Sequence, residues 1–372
     1  MATKKTVGNL LEAKNLKKRY PTSGTASSIC LPEDDALWLP SRILAINDQL
    51  GGGIAYGHIL ELFGEENVGK TLLAMDFGYV TQALGGIVLW ADAESTFNGP
   101  WAQKNGLDLE KIQLLPTENR IEVISDWIAD MVVYYRSILT KNEPILLVVD
   151  SLAALETQLN LETSQVDRKA EMGNRAKAID MMLRSRNGLF HKYGITVIFI
   201  NQLRKKIGAT QFEDPDTTPG GQAMRFYASL RMAIYGGKLI KDKSDKRIGR
   251  LVYVRLKKTK LSMPKDNIKA DVYFKKTGNK LGYSKYAGFI DILVEKGVIL
   301  RKKARFYYKD KMIANGEDAM MKVLEEEDEL RRKLIKRSGV LTISKMQEKL
   351  DSAKKNFFLV KTKKSKSEDD EE

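Results

Sequence analysis

The sequence predicts an α/β protein built on a mostly parallel, twisted sheet flanked by helices, with a small N-terminal segment and a small α+β C-terminal domain. Three observations carry this. Strand-sized apolar runs alternate with helical stretches from about residue 40 to residue 202. The runs are apolar on both faces, as strands covered by helices on both sides must be. One of them leads straight into "GEENVGKT", residues 64–71, where two glycines bracket four residues and a lysine and threonine follow.

Residues 3–20 read as a short helix with Val7, Leu10, Leu11 and Leu16 roughly on one face. Its other face is basic and ends in Lys17, Lys18 and Arg19. Pro21 stops it, "TSGTASS" reads as a linker, and "SICL" as one short strand. This unit has no core of its own and must pack on its own main domain or on a neighbour. The strands then run "GHILELFG", "GIVLWAD", "IQLL", "PILLVVD" and "GITVIFINQ". Between them the periodicity predicts helices over 69–84, near 98–106, over 118–138 and over 168–192. After residue 228, "ASLRMAIYG", "GRLVYVRLKKTK" and "ADVYFKK" are expected as antiparallel strands closing the sheet's edge. Residues 280–350 return to helix and short strand, and "KTKKSKSEDDEE" has no periodicity and is expected to be disordered. The expected division is 1–38, 39–278, 279–352 and 353–372.

Composition narrows the class. Of 372 residues, 43% are hydrophobic, enough for a real core. No apolar run approaches the roughly 18 residues that span a bilayer, so no membrane association is expected. "MATKK" leads into polar sequence, so no secretory signal is expected, and a soluble protein of a reducing compartment, the cytoplasm, is the expectation. Cys30 is the sole cysteine, so an intrachain disulfide is excluded, and with only His58 and His191 a four-ligand zinc site is disfavoured. The net charge of +14 suits a polyanionic partner, and a solvated surface would carry it equally well.

The stretch at 64–71 follows a strand and opens a helix, the context that marks a phosphate loop. Gly64 and Gly69 permit the tight backbone, while the intervening Glu65, Glu66, Asn67 and Val68 turn N–H groups toward phosphate oxygens. Lys70 supplies charge to the β and γ phosphates, and Thr71 can ligate Mg²⁺. The second part is Asp150, the acid that ends "ILLVVD" and can hold the water shell of Mg²⁺. The third is "LWADAES", which brings Asp92 and Glu94 to a strand's carboxyl end, where open α/β sheets bind ligands. Glu94 is a candidate base for the water that attacks the γ-phosphate. The fourth is "FINQLRKKIGATQFEDPDTTPGGQ", a buried strand ending in Asn201 and Gln202, then about twenty residues rich in basic residues, Gly, Pro and Thr. Long loops of this kind are usually functional. Gln202 can hydrogen-bond a γ-phosphate and report it to the loop, and Arg204, Lys205 and Lys206 can meet a phosphate backbone.

With these motifs in order over about residues 25–300, the sequence resembles the bacterial RecA family of DNA strand-exchange recombinases. "GGGIAYGHILELFGEENVGKTLLA", "ADAESTF" and "LLVVDSLAAL" are similar to the family's nucleotide-binding block, catalytic-glutamate segment and second nucleotide motif. "INQLRKKIG…DTTPGGQAMRFYASLRM" resembles its second DNA-binding loop and following strand, including Ile207, Gly220 and Gly221. The resemblance implies that 64–71 cradle ATP, Glu94 is the general base, Asp150 assists Mg²⁺ and Gln202 senses the γ-phosphate. It implies Trp101 on the adenine and Asn98, where an aspartate is usual, at the adenine edge. "EMGNRAK" with Met172, Gly173 and Lys177 matches the first DNA-binding loop, with Arg184 following on its helix. Phe212, one residue inserted before it, matches the second loop's aromatic. Lys258 and Lys260 match residues that reach the neighbouring subunit's ATP. Residues 1–35 resemble the helix and strand that dock on the next protomer.

The implied activity is ATP-dependent formation of a helical filament on single-stranded DNA and strand exchange with homologous duplex DNA. Two other readings stand beside it: a ring- or filament-forming motor of the same fold, such as a hexameric helicase or an archaeal-type recombinase, and a passive single-strand-binding protein. The loop "RKKIGATQFEDPDTTPGG" argues against the helicase, and no helix-hairpin-helix N-terminal domain is expected, which argues against the archaeal type. Lys70, Glu94 and Gln202 together argue against the second. The departures are a longer segment between Glu94 and Asp150, a phosphate loop without the usual proline and serines, and a basic C-terminal region. They point to a phage or mobile-element branch.

Overall fold

The computed structural model describes residues 36–162, 168–205, 216–261, 267–277 and 280–353. The helix expected over 3–20, the strand at "SICL" and the tail from residue 354 lie outside the described residues. The chain divides into two units, Met1–Leu37 and Trp38–Glu372, and every element named below belongs to the second.

Strands β1 (Trp38–Leu39) and β2 (Ile54–Ala55) form a small antiparallel ladder either side of helix α1 (Leu44–Gln49). The alternating segment follows: β3 (Ile59–Gly64), α2 (Lys70–Ala83), β4 (Ile87–Asp92), α3 (Gly99–Lys104), β5 (Ile112–Pro116), α4 (Ile121–Ile138) and β6 (Ile145–Asp150). Next come α5 (Gln158–Glu162), α6 (Arg168–Tyr193) and β7 (Ile195–Gln202). After β8 (Arg204–Lys205), β9 (Asp216–Thr217) and α7 (Gly221–Tyr227) the chain turns to β structure in β10 (Leu230–Lys241), β11 (Arg247–Thr259), β12 (Ile268–Thr277) and β13 (Lys280–Tyr283).

One nine-stranded sheet organises these, in the order β13-β12-β11-β10-β3-β7-β6-β4-β5. From β10 to β5 every neighbour is parallel. Only β11, β12 and β13 are antiparallel additions. The three expected edge strands are antiparallel to one another, while β10 differs from the expectation in its other neighbour: it runs parallel to β3, with Leu230 opposite Leu60 and Ile234 opposite Gly64. The reason is its connection. A crossover carrying α7 returns the chain in its original direction, whereas the tight turn at Asp242–Lys246 reverses it into β11.

Both faces of the central strands β3, β4, β6 and β7 are dry. Ile121, Ile124, Ile128 and Val132 recur at helical spacing on α4 and pack with Ile179, Leu183 and Phe190 of α6 against Leu89, Leu147, Val149 and Val197. Leu73, Phe77 and Val80 of α2 are also fully buried. Each such side chain contributes about 1.5–3 kcal/mol by leaving water.

The last segment contains α8 (Phe289–Glu295), a three-stranded sheet of β14 (Leu300–Lys302), β15 (Arg305–Tyr308) and β16 (Lys311–Asn315), then α9 (Glu317–Glu326) and α10 (Asp328–Ser338). It is seated on α1: Lys296 Nζ lies 2.7 Å from Asp48 Oδ1, and Asn47 Nδ2 donates to the Leu341 carbonyl at 3.0 Å. Among the described residues no helix is long and apolar enough to cross a membrane.

Candidate nucleotide-binding and catalytic site

Because β3, β4, β6 and β7 are parallel, their carboxyl ends share one edge, and the loops leaving them converge there. A cavity of about 580 Å³ opens at this edge, lined at one end by Lys70, Thr71, Glu94, Asp150 and Gln202 and at the other by Asn98, Trp101 and Phe274. That volume suits a nucleotide.

The loop from Gly64 to Gly69 forms its floor. A Cβ on Gly64 would stand 2.2 Å from the Ile234 carbonyl oxygen, so the neighbouring β10 backbone admits only glycine there. Gly69 has φ +96° and caps α2. Glu66 and Asn67 lie on the cavity wall, Val68 is buried, and Glu65 is exposed off the wall. Lys70 folds back onto the loop, its Nζ donating to the carbonyls of Gly64 at 3.2 Å and Glu65 at 2.6 Å. Burial lowers its pKa, opposed by Asp150 and Glu94. Phosphate oxygens would replace those carbonyls as acceptors.

Thr71 Oγ1 donates to Asp150 Oδ2 at 3.0 Å. Asp150 is buried, and desolvation pushes its carboxyl up to about 7; the Thr71 bond opposes this, while Glu94 and Asp92 add to it. A hydroxyl and a carboxylate side by side are hard oxygen donors of the kind Mg²⁺ takes, and a cation would also relieve the buried charge. Among the described residues no group of three or more His, Cys, Asp and Glu offers an all-protein metal cage. Thr71 Oγ1 and Asp150 Oδ2 are the oxygen donors here that fit Mg²⁺.

Glu94 is held by three contacts. Its N–H donates to the Asp150 carbonyl at 3.2 Å, and its Oε1 accepts from Ser151 Oγ and from Gln202 Nε2, the latter at 3.5 Å. Asp92 behaves differently. Its carboxylate accepts the N–H groups of Thr96 at 3.1 Å and Phe97 at 2.8 Å and does not line the cavity, so it shapes the loop that carries Glu94. At the far end, Asn98 caps α3 by accepting Trp101 N–H at 2.9 Å.

A family model described as RecA N-terminal domain matches residues 24–279. The chain belongs to the RecA family. Among its relatives, Protein RecA of Bacteroides thetaiotaomicron is 33% identical over 80% of this chain and 85% of its own length. Protein RecA of a Picosynechococcus species is 31% identical over 86% and 85%. That of Nostoc punctiforme is 33% identical over 80% and 78%.

The residues matched to the RecA DNA-binding loops fall into two groups. Gly173, Lys177 and Arg184 are exposed along α6, with Arg184 Nη2 paired to Asp180 at 2.8 Å. Met172 lies on the same helix. Arg204 and Lys205 form β8, which pairs with β9 through Arg204–Thr217 and Lys205–Asp216 and closes the base of the second loop. Gly220, at φ +92°, and Gly221 start α7. Lys206, Ile207 and Phe212 lie outside the described residues. Lys258 and Lys260 sit away from the chain's own cavity, where each Nζ donates to a carbonyl at Arg225–Phe226. Phe226 beside them is 71% exposed.

Three groups were not picked out from the sequence. Phe274 joins the cavity from β12. Ser151 holds Glu94. A buried network links Glu61, fully buried on β3, to Arg231 Nε and to Asn201 Nδ2 at 2.9 Å, and Asn201 also reaches the Pro219 carbonyl at 2.9 Å. The signal for the network is a lone acid in "ILELFG" and a lone arginine in "SLRMAIY", since a charge inside a buried strand needs a partner.

Proposed function

We infer that this RecA-family protein is an ATP-dependent DNA recombinase, which assembles on single-stranded DNA, pairs it with homologous duplex and hydrolyses ATP in response to DNA. One observation carries the reading. Glu94 and Gln202 share a hydrogen bond at the cavity's phosphate end, and Gln202 stands two residues before the β8–β9 ladder that closes the DNA loop. The catalytic base and the DNA element are thereby joined through one side chain.

In the reaction, Lys70 leaves its loop carbonyls for the β and γ phosphates. Glu94 orients a water against the γ-phosphorus and takes its proton as the O–P bond forms and ADP departs. Thr71 and Asp150 would hold Mg²⁺, which neutralises phosphate charge when bound. The Gln202 amide, drawn toward the γ-phosphate, pulls on the base of the second loop. Arg204, Lys205 and Lys206, with Lys177 and Arg184, meet the DNA backbone through charge, with little sequence preference. Lys258 and Lys260 extend to the ATP of the next protomer in the filament. Residues 1–38 dock on that protomer, residues 279–352 form a small C-terminal domain, and 353–372 form a charged tail. The working place is the cytoplasm of a bacterial or phage-infected cell.

A helicase-type motor and a passive coat protein fit less well, since the first needs no such loop and the second needs no base at Glu94. The test combines DNA-stimulated ATPase and strand-exchange assays on wild type, Lys70→Ala and Glu94→Gln. The expected result is strand exchange by wild type, and turnover reduced at least about 100-fold by Glu94→Gln, the low end for loss of a general base. Strand exchange without ATP, or unaltered turnover in Glu94→Gln, overturns the reading.

A further inference from the structure

The phosphate loop carries two acids, Glu65 and Glu66, although a loop that holds a polyanion gains nothing from negative charge. Glu66 lines the cavity, and Glu65 does not. The Glu65 carboxylate is nevertheless felt at the phosphate end. Burial lowers the Lys70 pKa, and Asp150, Glu94, Glu66 and, least of these, Glu65 oppose it. A carboxylate that favours the Lys70 cation disfavours phosphates brought to the same place.

The direction Glu65 takes is set by β10 and β11. Strand β10 runs beside the loop, with Ile234 opposite Gly64. Two residues on, a Cβ added to Gly236 would stand 2.9 Å from Arg250 Nη1 and 3.2 Å from Glu65 Oε2. The two opposite charges thus lie together over one bare Cα. The register between β10 and β11 shifts between Gly236 and Leu239, and Arg250 is the β11 residue paired just beyond the shift, opposite Leu239. A bulge of this kind re-aims a side chain. Arg250 Nε is buried and has no hydrogen bond, so one donor of the fork has no acceptor of its own. Arg250 does not line the nucleotide cavity.

Building on the ATP-hydrolase reading, we propose that Arg250 is a positioning residue for ATP binding: its guanidinium keeps the Glu65 carboxylate over Gly236, off the phosphate cavity, and offsets its charge. Arg250 touches neither the cavity nor Glu94, so it acts on nucleotide affinity and leaves the chemical step alone.

The experiment uses the full chain with single-stranded DNA and Mg²⁺. Affinity for ATP is read by displacement of a fluorescent ATP analogue, and kcat and KM by hydrolysis, in dilute and in concentrated salt. Arg250→Gln is expected to weaken ATP binding about fivefold in dilute salt, the upper scale of one surface charge pair, with kcat within about twofold of wild type. Concentrated salt should erase most of that loss. Arg250→Lys keeps the charge and should bind ATP within about twofold of wild type. In a Glu65→Gln background no carboxylate remains to be restrained, so adding Arg250→Gln should change affinity by less than about twofold. Wild-type affinity in Arg250→Gln, a loss in kcat in place of affinity, or an equal loss of affinity in the Glu65→Gln background overturns the proposal. Displacement by ATP without hydrolysis would sink the hydrolase reading and leave the affinity comparison readable. No displacement by ATP from wild type would sink both.

Discussion

Gln202 Nε2 lies 3.5 Å from Glu94 Oε1, the oxygen that also accepts from Ser151. The Gln202 amide thus rests on the carboxylate proposed as the base, two residues before the β8–β9 ladder. A γ-phosphate would offer the amide a second anionic acceptor, with three oxygens to compete with the carboxylate. Gln202→Ala should bind ATP normally yet lose most of the ATP-induced gain in single-strand affinity, measured by DNA titration with and without nucleotide. A gain within about twofold of wild type, roughly 0.4 kcal/mol, would place the switch elsewhere.

Much of this site was legible because its chemistry sits at strand ends. A run such as "ILLVVD" announces both a buried strand and the acid that ends it, and "GEENVGKT" has few other uses after a strand. What was hidden depended on register. Glu61 and Arg231 stand opposite each other across β3 and β10, although 170 residues apart, and neither charge makes sense until those strands pair in parallel. β10 reads as one of the antiparallel edge strands, which it is toward β11, and its parallel pairing with β3 stayed hidden. Phe274 was hidden because strand alternation gives a side chain's face and not the cavity it reaches. The β1–α1–β2 unit was missed because two-residue strands carry no period.

The Glu61–Arg231 pair should be costly to break and cheap to replace. Arg231 is nearly buried, stacks 4.9 Å from the Phe63 ring centroid, and meets a carboxylate with no solvent access. Arg231→Met would strand that carboxylate and should cost about 3–5 kcal/mol in denaturant unfolding. Glu61→Leu combined with Arg231→Met removes both charges and should recover a large part of the loss. A single variant within about 1 kcal/mol of wild type would show that the pair is not desolvated in solution.

Both histidines of the chain meet edge to face, with ring centroids 5.0 Å apart, and His58 Nδ1 lies 2.9 Å from Ser229 Oγ. Burial, with His191 and Lys260 nearby, pushes His58 down to about 4 from 6.5. The unfolded chain then binds more protons between those values, so this group withdraws stability as pH falls through that window and no further below it. Thermal unfolding of wild type and His58→Gln should show wild type losing its advantage between pH 7 and about pH 4.5. Parallel curves would mean that His58 does not titrate in that range.

Asp150 works in the opposite sense. Its carboxyl is pushed up to about 7 from 3.8, first by burial and then by Glu94 and Asp92. The folded, nucleotide-free protein therefore holds more protons than the unfolded chain between those values. This contribution to stability is complete below the unfolded pKa and is lost as pH rises through the folded one. A divalent cation at Thr71 and Asp150 requires the ionised carboxylate, so binding ATP with Mg²⁺ near neutral pH should expel a proton. Calorimetry at pH 7 in buffers of different ionisation enthalpy should report release of roughly half a proton per site, shrinking toward zero by about pH 8.5. Asp150→Asn has no proton to lose there and should abolish that component while retaining nucleotide contact through Lys70. An unchanged release in Asp150→Asn would assign the proton to another group, and a wild-type release of zero would mean that Asp150 is already ionised before the nucleotide arrives.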